Sequence, residues 1–440
     1  MLNKNVGFLK NRLVFDISNK IVMRSGLILP FTFIILAFFP YIKIFPVKTD
    51  LQPNFMAVGV VLIALNPKMI LNANRSVMVY GLIAIILAFI PYDPYYYDIS
   101  GVIRGVGSSM AFVIGVIVWD GIGIATLKRI VTERFALNAL VIYAIAGLVQ
   151  IFVNPDVFTP ILSRPYGYAG SEGRGVESLT AEPTYLAIHI CLILRLFLQV
   201  NANKIHWPIL CLAVGIVVFI SKSATVISTL IVSIICCCVP VFYHIIAGKN
   251  VAKLVSILIV LSLILIVVSV FLGSMQIDYR LFNIVNNFLT NGIDNFTVQD
   301  WSVRDRLFHI EASIRLAFTN YLIPNGYGSF EGLLNDYNSI LGSDARKDYG
   351  VFNARIMSGY GGSLFEFGVI GFIPIILITK NIYRETNLVL RVFWMSFLSL
   401  LLIQSVQISN PLVAFLASSR CLLINTDKGV ANTSVKLRRS

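Results

Sequence analysis

The sequence predicts an all-α, polytopic integral membrane protein of about 12 transmembrane helices, with a large periplasmic loop that contains amphipathic helices. Three observations lead there. Of the 440 residues 57% are hydrophobic and only 13% charged. The apolar residues fall in long uninterrupted blocks, and a bilayer core takes about 20 of them per helix. The net charge of +13 is unevenly divided between the segments that join those blocks. A transmembrane barrel would alternate apolar and polar residues over about 10 positions, and the run VAKLVSILIVLSLILIVVSVFLG at 251–273 does not alternate.

The candidate spans lie at 25–42, 54–67, 76–91, 102–119 and 135–153, then 184–201, 206–220, 223–246 and 252–273, and finally 360–379, 391–408 and 411–425. Residues 1–153 therefore hold the first five helices, 184–273 the next four, and 360–440 the last three with a polar tail. Several spans are blemished: Pro67 ends the second, Arg104 opens the fourth, and Arg195 sits near the cytoplasmic end of the sixth. An even count puts both termini on one side. That side collects 22 of the 35 Lys and Arg but only five of the 22 acidic residues. By the positive-inside rule the termini are cytoplasmic and the chain is expected in a bacterial inner membrane. The excess of cations is a topology signal and an attraction to anionic lipid, and gives no reason to invoke nucleic acid.

The first apolar run reads as a signal anchor, since no small-residue cleavage site follows it. Cys191, Cys211, Cys236, Cys237, Cys238 and Cys421 all fall in predicted spans, so no disulfide closes an outer loop. PYDPYYYD at 91–98 fits an aromatic belt at the outer interface. His189 is an imidazole at membrane depth, for which a buried hydrogen bond is expected.

Two loops face outward, 154–183 and 274–359. The first gathers Arg164, Glu172, Arg174, Glu177 and Glu182 between apolar runs. In the second, DWSVRDRLFHIEASIRLAFTN at 300–320 has Val303, Leu307, Ile310, Ile314 and Ala317 at helical spacing, which predicts an amphipathic helix with that stripe on the protein or membrane surface. Arg304, Phe308, Glu311 and Arg315 then share a second face flanked by Arg306 and His309, the latter an i,i+4 partner for Asp305. Pro324 ends the helix, and Gly326 and Gly328 supply a turn with exposed amides. Any one of these arginines fits a solvated or snorkelling cation. As a set, planar guanidinium forks on loops facing one aqueous layer suit a diphosphate.

The segment GRGVESLTAEPTYLA at 173–187 resembles the Arg, Gly, Glu-Pro-Ser/Thr signature of bacterial O-antigen polymerases of the Wzy type. The resemblance continues through FISKSATVISTLI at 219–231, RDRLFHIEASI…PNGYGSF over 304–330 and SGYGGSLFEFGVIGFIP at 358–374. It implies a glycosyltransferase that joins undecaprenyl-diphosphate-linked repeat units at the periplasmic face, alongside a flippase and a chain-length regulator. Related ligases, which move the glycan to lipid A core, carry a His-Asn pair before the next span, whereas YGVFNARIMSGYGG at 349–362 has no His. A non-catalytic exporter is the other alternative, but its ionisable residues would line a path inside the spans.

Displacing a lipid diphosphate from an anomeric carbon needs charge stabilisation on the leaving group and a base at the attacking hydroxyl. The chain has no Asp-x-Asp metal motif, so a metal-free, cofactor-free reaction is expected with arginine in the metal's place. On this reading Arg174 and Arg304 act on the diphosphate and Glu182, fixed by Pro183, is the base. Arg306, Arg315, Glu177, Lys222, Gly326 and Gly328 complete the substrate site, with Glu177 the reserve base. The local sequence alone fits Glu182 equally well as a carboxylate favoured by a helix N-terminus, and Lys222 as a snorkelling interfacial cation. Reporter fusions test the topology: a phosphatase active only outside the cytoplasm is expected to be active when inserted near residue 165 or 340, and silent when attached at Ser440.

Overall fold

A computed structural model describes residues 27–43, 52–89, 99–162, 175–201, 206–247, 301–330, 332–333, 356–385, 387–406, 408–418 and 421. Among them the protein is helical, with one isolated bridge between Ile42 and Leu162. The helices are α1 (Leu27–Phe38), α2 (Pro53–Leu65), α3 (Lys68–Asn72), α4 (Arg75–Ala88), α5 (Ile99–Gly121), α6 (Ile124–Ile130), α7 (Glu133–Phe152) and α8 (Pro183–Val200). They continue with α9 (Trp207–Gly215), which runs on as a π-helix over Ile216–Ser221, then α10 (Ala224–Ala247), α11 (Trp301–Thr319), α12 (Gly359–Phe367), α13 (Phe372–Arg384), α14 (Leu388–Ile403) and α15 (Pro411–Ala417).

Four stretches are long and apolar enough to cross a membrane: α5, α7, α8 and Gly359–Arg384. Their starts are written in the local sequence. Thr132 accepts the Phe135 amide at the head of α7, Asn387 accepts those of Val389 and Leu390 at α14, and Asn410 accepts that of Leu412 at α15. Pro183 occupies the first turn of α8, where its missing N–H costs nothing.

α8 is the central element. Its most apolar window is 78% buried, against 39–44% for the other three candidates, so it packs protein on every side while they keep an exposed apolar face. Around it a polar knot ties four elements. The Phe38 carbonyl at the end of α1 accepts from the Tyr143 hydroxyl of α7 at 2.7 Å and faces His189 Nε2 of α8 at 2.8 Å. A carbonyl only accepts, so Nε2 carries the proton, and Nδ1 then accepts from Asn410 Nδ2 at 3.3 Å. His189 thus has the buried hydrogen bond expected of it.

Three expectations need correction. The 411–425 span is, among the described residues, only the seven-residue α15, buried along Pro411–Leu416 and followed by extended Ser418. It is held by Trp119 Nε1, which donates to the Pro411 carbonyl at 2.7 Å, and by Gly115, where an added Cβ would lie 2.5 Å from that of Ala414. Hydropathy does not separate such a core helix from a span. The 360–379 span is broken: α12 stops at Gly368, whose φ of +59° leaves the helical region, and a 3₁₀ turn over Gly368–Gly371 leads into α13. Arg195, expected near a membrane boundary, is 1% exposed. Its guanidinium donates to Gln199 Oε1 and Cys421 Sγ and lies 5.6 Å from the centre of the Trp394 ring.

The amphipathic helix forms over Trp301–Thr319, but it turns another face inward. Asp305, Phe308, His309, Ala312, Ser313 and Ala317 are buried, whereas Leu307 is 46% exposed and Ile310 and Ile314 are half-buried. Close approach decides the register. An added Cβ on Gly361 of α12 would lie 1.9 Å from Ser313 Oγ, so the small residues of α11 meet the glycines of α12 backbone to backbone. The 252–273 span, the 91–98 tract and most of the 274–359 loop lie outside the described residues.

Tyr143→Phe removes one hydrogen bond of the knot and is expected to cost about 1 kcal/mol. Gly105→Val, whose Cβ would fall 2.1 Å from the Tyr327 ring, is expected to cost more, about 1–3 kcal/mol. Thermal unfolding of the detergent-solubilised variants checks that order.

Candidate functional site

The segment from Gly175 to Glu182 reaches α8 as a structured loop. Val176 donates its amide to the Ile220 carbonyl at 2.9 Å, and an added Cβ at Gly175 would lie 2.1 Å from that same oxygen, so glycine is required for the approach. Ser178 adopts a left-handed φ of 52°, unusual for a non-glycine residue. Its conformation is held from both sides: the amide donates to Gln150 Oε1, and the hydroxyl donates to the Tyr143 carbonyl at 2.7 Å. Thr180 closes the turn by donating its hydroxyl to the carbonyls of Glu177 and Glu182.

That loop lies on the end of the π-helix, and the chain there turns sharply. Lys222 has φ 45° and ψ 32°, Ser221 accepts the Ser223 amide, and Ser223 accepts that of Val226 to start α10. The Ser-rich stretch is therefore a capping device. Thr225, on the first turn of α10, accepts a hydrogen bond from Arg306 Nη1 of α11. The turn over 221–225 thus receives the 175–182 loop on one side and the arginine-bearing helix on the other. Three segments far apart in sequence meet around it.

This geometry sorts the expected site residues. Glu177, Lys222 and Arg306 stand on the three converging segments, with Glu177 3% exposed and Lys222 and Arg306 half-buried. Glu182 is the N-cap residue of α8, half-exposed, and its side chain makes no capping hydrogen bond. The capping arrangement that would have explained it structurally is therefore absent from the helix it precedes. Arg174, with Arg164 and Glu172, lies outside the described residues, although Gly175, its neighbour in sequence, packs against Ile220 and Ser221. Of Arg304 only the helical backbone is described.

Arg315 does not join the convergence. It is exposed and ion-paired with Glu311 at 2.9 Å, about 13 Å further along α11 than Arg306 at 1.5 Å per residue. The glycine turn does not offer open amides either. The Gly326 amide donates to the Glu366 carbonyl at 3.2 Å, and the positive φ of Gly326 and Gly328, 76° and 83°, let Tyr327 between them lie on Gly105 and bond Ser109 Oγ at 2.9 Å. These glycines serve the fold, because the carbonyl of the facing helix takes the donor that a phosphate would need. Burial pushes the Tyr327 phenol well above its ordinary pKa, and Glu366 adds to the rise, so it remains a neutral hydroxyl.

His309 pairs with Asp305 at 3.4 Å, its ring fully buried and stacked on Phe330 at 5.6 Å. Among the described residues no three of His, Cys, Asp and Glu are grouped to hold a metal ion. Thr225, the anchor of Arg306, was invisible as a site residue in sequence; its only signal was the Ser- and Thr-rich start of α10.

No family model, no curated protein and no solved structure matches this chain. Gly175→Ala is expected to push the loop off Ile220 and lower the melting temperature by several degrees, about 1–3 kcal/mol of overpacking, where Arg315→Ala leaves it within about 0.5 kcal/mol. Differential scanning fluorimetry of both variants checks this.

Proposed function

We propose that the protein is a glycosyltransferase of the O-antigen polymerase type, joining undecaprenyl-diphosphate-linked repeat units at the periplasmic face of the bacterial inner membrane, with both termini cytoplasmic. The observation that carries this reading is the convergence of Lys222 and Arg306 with the Glu177–Glu182 loop on the turn over 221–225. Two cations from separate segments beside a loop bearing two carboxylates supply the two functions that the reaction needs.

On this reading Arg306 and Lys222, with Arg174 and Arg304, hold the donor diphosphate. Guanidinium groups remain charged at every relevant pH and grip phosphate oxygens in pairs. Glu182, at the mouth of α8, takes the proton of the acceptor hydroxyl. The new bond forms between that oxygen and the donor anomeric carbon, the bond from that carbon to the phosphate oxygen breaks, and the diphosphate leaves with its added negative charge held by the cations. Glu177 is nearly inaccessible and fits a supporting carboxylate better than a base. The exporter alternative draws no comparable support, since Arg195 at membrane depth is committed to Gln199 and Cys421.

The test is elongation of defined lipid-linked repeat units by purified protein. Arg306→Ala and Lys222→Ala are each expected to lower kcat/KM about 10- to 100-fold, or about 1.4–2.7 kcal/mol of transition-state stabilisation. Glu182→Gln is expected to keep lipid-linked substrate bound but stop elongation, while Arg315→Ala behaves as the wild type. Normal chains from Arg306→Ala present at wild-type level would remove the phosphate clamp from the scheme.

A further inference from the structure

A cavity of about 530 Å³ opens between α4, α5, α12, α13 and α14, away from the 221–225 turn. Its walls are mostly apolar, with Phe112, Leu377 and Val413 among them, and Gly81, Gly101 and Gly105 give it width by withholding side chains. Polar groups are confined to its ends. At one end stand Arg104, Ser109, Tyr327 and Glu366; at the other Asn74, Lys380 and Arg384. From Arg104 to Asp120 α5 rises about 24 Å at 1.5 Å per residue, close to the thickness of a bilayer core, so the cleft runs along the spans with a polar mouth at the Tyr327 end.

An apolar slot with a few polar groups at one mouth is the form of a site for an amphiphile. The volume suits one hydrocarbon chain rather than the pair carried by a bilayer phospholipid. The mouth offers a guanidinium for a phosphate and a carboxylate beside a neutral phenol for sugar hydroxyls. It also adjoins the cationic site. Phe330 lines the cleft and stacks on His309, one turn along α11 from Arg306.

We propose that this cleft seats the isoprenoid chain of a lipid-linked glycan, with its phosphate and first sugar at the Arg104–Glu366 mouth. The proposal rests on the polymerase reading and adds to it the place where one of the two lipid substrates lies. The glycine turn then gains a function in place of the phosphate cradle: Tyr327, carried by Gly326 and Gly328, roofs the cleft at its polar end.

Photo-crosslinking tests it. A photoreactive amino acid is placed singly at Phe112, at Leu377 and, as a control, at Ile145, a 56%-exposed residue of α7 outside the cleft. The variants are irradiated in membranes that contain undecaprenyl-linked glycans, and the adducts are identified by mass spectrometry. Isoprenoid phosphate or diphosphate adducts at positions 112 and 377, several-fold above position 145, are expected. Phospholipid adducts alone, or equal isoprenoid yield at all three positions, overturn the assignment. A second arm uses Ser108→Phe, which narrows the cleft and is expected to raise KM for lipid-linked repeat about tenfold with kcat little changed; unchanged KM overturns the assignment. If isoprenoid adducts form but the wild-type protein elongates nothing, the cleft stands and the polymerase reading falls. If the protein elongates without such adducts, the reverse holds.

Discussion

The structure depends on one carbonyl. Phe38 ends α1 inside an apolar bundle, where a bare backbone oxygen is costly, and its two hydrogen bonds come from different helices: the Tyr143 hydroxyl of α7 and the His189 imidazole of α8. His189 extends the link to Asn410 at the head of α15. The same Tyr143 accepts, through its own carbonyl, the Ser178 hydroxyl that holds the 175–182 loop. The shape of the loop bearing Glu177 and Glu182 is thus fixed by the same residue that closes the knot in the bundle. Packing and site share one hydrogen-bonded chain.

Around that knot the helices divide into two kinds. α8 and α15 are buried throughout, while α5, α7 and α13 keep exposed apolar residues such as Ile103, Ile145 and Ile376. Where helices touch, small residues set the distance: Gly59 meets Ile114, Gly147 meets Ile220, and Gly361 meets Ser313. This suits an apolar environment, where burying Leu against Leu gains little over leaving it in lipid and close backbone contact gains more.

Much of this was legible in the chain. Long apolar blocks marked α1, α2, α4, α5 and α7–α10, because a run of lipid-soluble residues has few other solutions. Gly368 and Gly371 marked the break before α13. What failed was the direction in which α11 faces. The pattern of Val303, Leu307, Ile310 and Ile314 reads as a core stripe only if the alternative is water. Beside α12 the contact is decided by Ala312, Ser313 and Ala317, which hydropathy ranks poorly and geometry favours. The cluster at the 221–225 turn was half legible: Lys222, Arg306 and Glu177 were chosen for their charge, but Thr225, which seats Arg306, carries no charge to notice. Arg315 has the charge and the wrong place along the helix. Gly326 and Gly328 showed that a turn was needed there and left open which donors it would expose.

The π-helical stretch over Ile216–Ser221 has a consequence in terms of insertion and deletion. A π turn holds one residue more than the α-helix would, so the segment behaves as a tolerated single-residue insertion. Removing any one residue between Ile216 and Ser221 lets the helix close as ordinary α and turns everything after it by about 100° relative to what precedes it. The Ile220 carbonyl would swing away from Val176, and Lys222 and Thr225 would leave the face that meets Arg306. Segments that merely cross lipid accept a lost residue by tilting, whereas this one keeps its length to the residue, since its register joins one half of the candidate site to the other.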